Sequence, residues 1–310
     1  MLMLNHGLLL LTFYLTMKVL HISIRENILK SALFFGYLLL FTPIGINIKH
    51  GQVGFIFLDL LLGFWIYAGK NRSILAGAML ALTIVFKVYP ILLLPFLLLK
   101  QRYREVLSTA VWVIVISIGA IFLLPTIVWS DWLFRVIPLG GYGQAPPDLA
   151  VISTHWNYSI YGFFAYIFTQ NQWHTGIFAH PTGIHTATIF AYGAVSIVIA
   201  LSCLALFKAR TSCLQKTLDQ IMMIGLPLMF LIAPLSWTHH GVYLIPAMAA
   251  LVMTQTDIDS RLRGYYYGTI GVIFLIGITG ESLLYLLAVL LIWGLNMLQL
   301  LHSDLFNQRT

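Results

Sequence analysis

Apolar runs of roughly 14–25 residues succeed one another to the end of the chain, separated by short polar turns, which reads as a membrane protein crossing the bilayer many times. Composition agrees: 60% of the 310 residues are hydrophobic, 9% are charged and the mean hydropathy is +0.90. The runs predict spans over 1–17, 29–47, 53–68, 106–126, 187–207, 217–235, 241–254, 265–280 and 282–301. The expected fold class is an all-α polytopic transmembrane bundle of about nine spans plus one re-entrant helical hairpin, in one integral membrane domain over 1–310. No soluble domain, low-complexity tract or internal repeat interrupts the pattern.

The formal net charge of +7 does not point to nucleic acid, because the Lys and Arg residues sit in short turns between apolar runs instead of clustering on one surface. Cys203 and Cys213 lie near or in a basic turn, have no metal-ligand spacing, and carry no expected chemistry.

Basic residues also assign the sides of the membrane. Lys18, Arg25 and Lys30, then Lys70 and Arg72, Lys100, Arg102 and Arg104, Lys208, Arg210 and Lys216, and Arg261 and Arg263 mark five cytoplasmic turns. With Arg309 in the tail these are 14 of the 17 basic residues, and they put the N-terminus outside and the C-terminus inside. The stretch 73–99, "SILAGAMLALTIVFKVYPILLLPFLLL", therefore begins and ends on one side. Pro90 predicts a break at "KVYP", and halves of about 13 residues reach only about 20 Å into a core about 30 Å thick. The result is a re-entrant hairpin with Lys87 at its tip. Broken backbone at that depth needs protein or a wet cavity around it, and an intramembrane Lys usually marks a substrate path. The plain alternative is a lysine that snorkels to the interface.

Polar chemistry then gathers outside. His50, His155, His174, His180, His185, His239 and His240 fall on that side, as do Trp129, Trp132, Trp156, Trp173 and Trp237 of the eight tryptophans. Part of this is the aromatic belt of any membrane protein, but a belt is two-sided and this one is not. Two long outer loops, 127–157 and 169–186, carry most of it, and "YSIYGFFAYIF" between them suits an interfacial helix. Flat aromatic faces beside Asn, Gln and His fit a sugar, whose faces are apolar and whose rim is hydroxyl.

The run after His240 is about 14 residues, roughly 21 Å, too short to cross, so His239 and His240 sit below the outer surface at the depth of Lys87. A satisfied core histidine is the structural alternative. Adjacent histidines project in different directions, and no metal site is read. Imidazole and ammonium groups at one depth fit an anion partly in the membrane, such as a lipid phosphate.

Four segments resemble the C-type membrane glycosyltransferases of family 87, which include polyprenol-phosphate-mannose-dependent mannosyltransferases. They are "NIKHGQVG" from Asn47, with Gly54 where Asn is usual; "AGAMLALTIVFKVYP", with Ala81 in place of a second Gly; Asn157–Tyr158–Ser159; and Pro234, Ser236, Trp237, His239 and His240. The resemblance implies inverting transfer of a mannosyl-like hexosyl unit from a polyprenyl-phosphate sugar, the donor substrate, to a lipid or glycan acceptor. It implies a bacterial-type cytoplasmic membrane with the reaction on its outer face, the bilayer and these lipid-linked molecules as partners, and no certain cofactor. In that picture Lys87, His239 and His240 bind the donor phosphate, while Gln52, Asn157, Trp237 and Asn47 bind sugar or acceptor. Relatives of this kind carry a catalytic Asp in the first long outer loop, and here no such loop precedes Lys18. The chain is accordingly expected to lack the N-terminal helix and first outer loop, and no catalytic base is assigned. Of the acids Asp59, Asp131, Asp148 and Glu281, the weak candidate is Asp148 after "GQAPP". Two other classes stay open: a transporter or flippase of a lipid-linked or polar substrate, and a non-catalytic glycolipid-binding remnant.

Overall fold

The computed structural model of the chain describes residues 2–136, 142, 156–171, 174–209, 214–253, 260–279 and 282–307. Among them the only strands are a two-residue ladder pairing Gln170–Asn171 with His174–Thr175, so the all-α class holds. The helices follow the apolar runs: α1 (Leu2–Val19), α2 (Ile28–Leu40), α3 (Thr42–Lys49), α4 (Gly54–Gly69), α5 (Ser73–Phe86), α6 (Leu93–Leu99) and α7 (Tyr103–Leu123). After α8 (Thr126–Asp131) come α9 (Ile160–Phe168), α10 (Gly183–Lys208), α11 (Leu214–Ile232), α12 (Ile245–Met253), α13 (Ser260–Thr279) and α14 (Ser282–Asn307).

Two expected spans are broken. In the run expected over 29–47, Phe41 is extended (φ −70°, ψ 110°) and Pro43 enters the first turn of α3, which cannot continue the α2 hydrogen-bond ladder, so the two helices meet at 56°. The run expected over 241–254 starts as a 3₁₀ turn, Thr238–Leu244, before α12. Among the described residues three helices are long and apolar enough to cross alone, Tyr103–Leu123, Gly183–Lys208 and Leu284–Leu301, and the bent α2–α3 pair makes a fourth. By that measure the nine expected crossings are not reached. Gly54–Gly69, Ser73–Phe86, Tyr89–Leu99, Thr238–Met253 and Gly264–Thr279 are apolar but shorter, two of them halves of the 73–99 segment.

That segment folds back on itself. Its first residue, Ser73, donates to Glu105 Oε1 at 3.0 Å, and Arg102, just beyond its end, donates to the Ala68 carbonyl at 3.3 Å. Ser108 Oγ donates to the Ile74 carbonyl at 3.4 Å, so α5 and α7 start together and run side by side. Chain that leaves with α5 and must start again with α7 has to return through 89–99. The legs diverge: α5 packs on α4 and α7, whereas α6 lies against α7, α10 and α11. Lys100 donates to the Ala209 carbonyl just after Lys208, so the end of α10 joins the same basic end of the bundle.

Three of the helices that stop at this end, α1, α4 and α6, stop alike. His21, Asn71 and Gln101 adopt left-handed φ of 55°, 56° and 59°, and the next residue's N–H returns to a carbonyl one turn back, Ile22 to Met17, Arg72 to Tyr67 and Arg102 to Leu97, at 2.8–2.9 Å. Lys18, Lys70 and Lys100 stand at these C-termini, where the helix dipole favours cations. The tightest core surrounds α4, α11 and α12, with Trp65, Phe55, Phe230 and Tyr243 almost wholly buried. By contrast Leu107, Ile114, Ile118 and Phe122 of α7 are exposed, as expected of a helix facing lipid.

Candidate active site

Lys87 is placed by the break that Pro90 imposes. α5 ends at Phe86, Lys87 is extended (φ −152°, ψ 125°), and Tyr89–Leu92 form a 3₁₀ turn before α6. The neighbours Val85, Phe86, Val88 and Ile91 are exposed, while Lys87 turns inward. Its Nζ lies 2.6 Å from His240 Nε2 and donates to Tyr243 Oη at 3.3 Å. It also sits 5.8–5.9 Å from the ring centres of Tyr89 and Tyr243. Phe57 of α4 backs both tyrosines, at 5.6 and 4.6 Å.

The partner histidine rides on the strap 233–244. The 3₁₀ turn aligns residues three apart, so His240 and Tyr243 stack at 5.8 Å with rings 13° apart and present their polar atoms together. The His240 backbone N–H bonds the Trp237 carbonyl at 2.9 Å, and its Nδ1 faces the Trp237 N–H at 3.3 Å. His239 is turned differently: its ring is 4.3 Å from that of His240 and edges against Trp237, and its carbonyl accepts from Asn47 Nδ2 at 3.3 Å. Of the histidine pair, His240 is the one in contact with Lys87.

The strap is clamped from behind. Asn157 Nδ2 donates to the Pro234 carbonyl at 2.9 Å, while Asn157 Oδ1 accepts from the Ser236 N–H at 2.9 Å and from Ser159 Oγ at 3.0 Å. Ser159 Oγ in turn caps α9 by accepting from the Gly162 N–H at 2.9 Å. Tyr158 completes the join: its N–H donates to the Ser236 carbonyl at 2.8 Å, and its hydroxyl accepts from Thr238 Oγ1 at 3.1 Å. The interfacial helix expected from "YSIYGFFAYIF" is thus tied directly to the strap that carries His240.

On the other side, α3 closes in a Schellman turn. Gly51 takes the left-handed φ of 60° that favours glycine, Gln52 N–H returns to the Asn47 carbonyl at 2.9 Å, and Gly51 N–H to the Ile48 carbonyl at 3.1 Å. The expectation that Asn47 and Asn157 line a sugar or acceptor pocket meets a geometry in which both are buried and bond strap backbone. Gln52 is half-buried with no side-chain partner among the described residues, and Trp237 is 38% exposed.

Sequence reasoning missed Tyr243, Tyr89 and Tyr158. The i, i+3 spacing of His240 and Tyr243 was the available signal, and it needed a 3₁₀ turn to be read. Among the acids, Asp131 pairs with Arg135 at 3.0 Å and Asp59 accepts from Thr12 Oγ1 at 2.6 Å, both away from Lys87. Asp148 and Glu281, with His155, lie outside the described residues.

A family model, glycosyltransferase family 87, matches residues 1–234. The chain belongs to glycosyltransferase family 87. No curated protein and no solved structure matches it. As a family 87 protein it is a membrane glycosyltransferase, and the matched range contains the Asn47 turn, the Lys87 hairpin and the Asn157 clamp. The range stops at Pro234, so the histidines of this family 87 chain join the site through the Lys87 contact and the Asn157 clamp on Pro234.

Proposed function

We propose that the chain transfers a mannosyl-like hexosyl unit from a polyprenyl-phosphate sugar to a lipid or glycan acceptor on the outer face of the membrane, with the N-terminus outside and the C-terminus inside. One observation carries the reading. Lys87 Nζ meets only uncharged side chains, the His240 ring at Nε2 and the Tyr243 hydroxyl, and no carboxylate among the described residues reaches it. A part-buried ammonium without a counter-charge is costly, and a phosphate supplies the charge.

In this reading the acceptor hydroxyl attacks the anomeric carbon from the face opposite the phosphate, the carbon–oxygen bond to the phosphate breaks, and configuration inverts. Negative charge grows on the departing phosphate. Lys87 stabilises it as a compact donor, and the His239/His240 pair adds ring donors whose orientation the strap fixes. Trp237 and Gln52 offer an exposed aromatic face and an unpartnered amide to the sugar or acceptor. The base that takes the acceptor proton is not assigned, and Asp148 is the candidate to test.

The test is transfer of label from a polyprenyl-phosphate hexose in membranes carrying the wild-type chain, Lys87→Ala or His240→Ala. Wild type transfers, and each variant loses about 100-fold or more. Unchanged transfer in both variants overturns the phosphate assignment. Movement of donor across the bilayer without transfer selects the flippase reading instead.

A further inference from the structure

Away from Lys87, α1, α4 and α5 leave a groove of about 380 Å³. Its walls are apolar, among them Leu11, Leu15, Leu60 and Met79, and its floor opens at Gly63. Its far end lies between Leu8 and Ile56, one turn beyond Asp59, whose carboxylate accepts from the Thr12 hydroxyl. At the other stand Lys18 and Lys70, both exposed, Lys18 over the Tyr14 ring at 5.6 Å. The ion pairs among the described residues are Arg102–Glu105 and Arg135–Asp131, so neither lysine has an acidic partner there.

From these observations we infer that the groove binds one anionic phospholipid of the leaflet at the basic end, its phosphate on Lys18 and Lys70 and one acyl chain along α4. Charge selects the headgroup: two uncompensated ammonium groups at a bilayer surface attract anionic lipid, each by roughly fivefold. Length selects the leaflet. Asp59 and Lys70 are eleven residues apart on α4 and its cap, about 16 Å at 1.5 Å per residue, close to half of a hydrocarbon core about 30 Å thick. The Thr12–Asp59 pair puts the first polar groups on the apolar track near mid-bilayer, one turn before its end at Leu8 and Ile56. The loops at this end hold most of the Lys and Arg, which makes the leaflet the cytoplasmic one. This site is separate from the sugar site and independent of it.

Two variants test it. Lys18→Gln with Lys70→Gln removes the headgroup contacts from exposed positions. Gly63→Phe fills the groove: a Cβ there meets Met79 Sδ at 3.5 Å and Cγ at 3.6 Å, ordinary contact that needs no backbone shift. The purified full chain is titrated with phosphatidylglycerol and with phosphatidylcholine, with retained lipid weighed by native mass spectrometry and unfolding temperature followed in parallel. Wild type binds phosphatidylglycerol at least tenfold better than phosphatidylcholine. The double Gln variant loses that preference, and Gly63→Phe loses retained lipid of either kind. Equal binding of the two lipids by wild type overturns the inference, as does a preference that survives the double Gln change. Retention of a zwitterionic lipid or a polyprenyl phosphate in its place, or a dimer that Gly63→Phe splits, also overturns it. Should Gly63→Phe fail to fold, the double Gln variant decides.

Discussion

Asn47 occupies the space that a side chain at Gly54 needs: a Cβ on Gly54 lands on the Asn47 amide nitrogen and comes within 3.0 Å of Val242. That amide holds the His239 carbonyl, so the glycine at 54 is what lets α3 reach the strap. Gly54→Ala is expected to push Asn47 off the carbonyl and shift the strap against Lys87. Transfer falls about tenfold, since roughly one buried hydrogen bond is lost. Asn47→Ala should cost about as much, and the double variant little more than either, because both changes break one link. Additive losses in the double variant would show that the two residues act separately.

Tyr243 is the second partner of Lys87, and its hydroxyl adds an acceptor to a ring already packed on Phe57. Tyr243→Phe keeps the ring stack with His240 and removes one weak contact, so transfer should drop only about threefold to tenfold, with stability nearly unchanged. Lys87→Arg is a different experiment. The guanidinium keeps the charge but brings a planar fork where the site holds a compact ammonium, and it should recover at most a few per cent of wild-type transfer. Full activity in Lys87→Arg would mean that charge alone matters and the distances to His240 and Tyr243 do not.

Asn157 should behave as a clamp. Asn157→Ala leaves the Pro234 carbonyl and the Ser236 N–H without their partner in buried surroundings, a loss of about 3 kcal/mol readable as a lower unfolding temperature in detergent. Asn157→Asp keeps the acceptor for Ser236 and Ser159 but cannot donate to Pro234, and its stability should fall between the two. A variant with wild-type stability but impaired acceptor affinity would return Asn157 to the role of a sugar contact.

The hairpin was legible because it depends on two strong local signals, basic turns flanking 73–99 and a proline after "KVY". The meeting of Lys87 with the histidine pair was legible in outline through helix length. Which histidine faces the lysine was not, since that depends on the 3₁₀ turn over Thr238–Leu244, and a 3₁₀ turn leaves the same apolar pattern as a helix end. The burial of Asn47 and Asn157 was hidden for another reason. A polar residue beside an outer loop looks like a ligand contact until its hydrogen-bond partners, 192 and 77 positions away, are known. The break at Phe41 follows from Pro43 and could have been read; a run hydrophobic on both sides of a proline masked it.

The folded-back segment also fixes which loops share a side. Exposed Lys70 and exposed Arg104 flank the 73–99 hairpin at the basic end, where Arg102 bonds the Ala68 carbonyl. Ile177, 84% exposed, precedes α10, whose 26 residues span about 39 Å to that same basic end, so it lies at the other. With Cys203 and Cys213 replaced by Ser, single cysteines at Lys70 and Arg104 should react with a membrane-impermeant maleimide only in inside-out vesicles. A cysteine at Ile177 should react only in right-side-out vesicles. If 73–99 were instead one crossing helix, Lys70→Cys and Arg104→Cys would label in opposite vesicle preparations, and Lys87 would have no folded-back tip from which to meet His240.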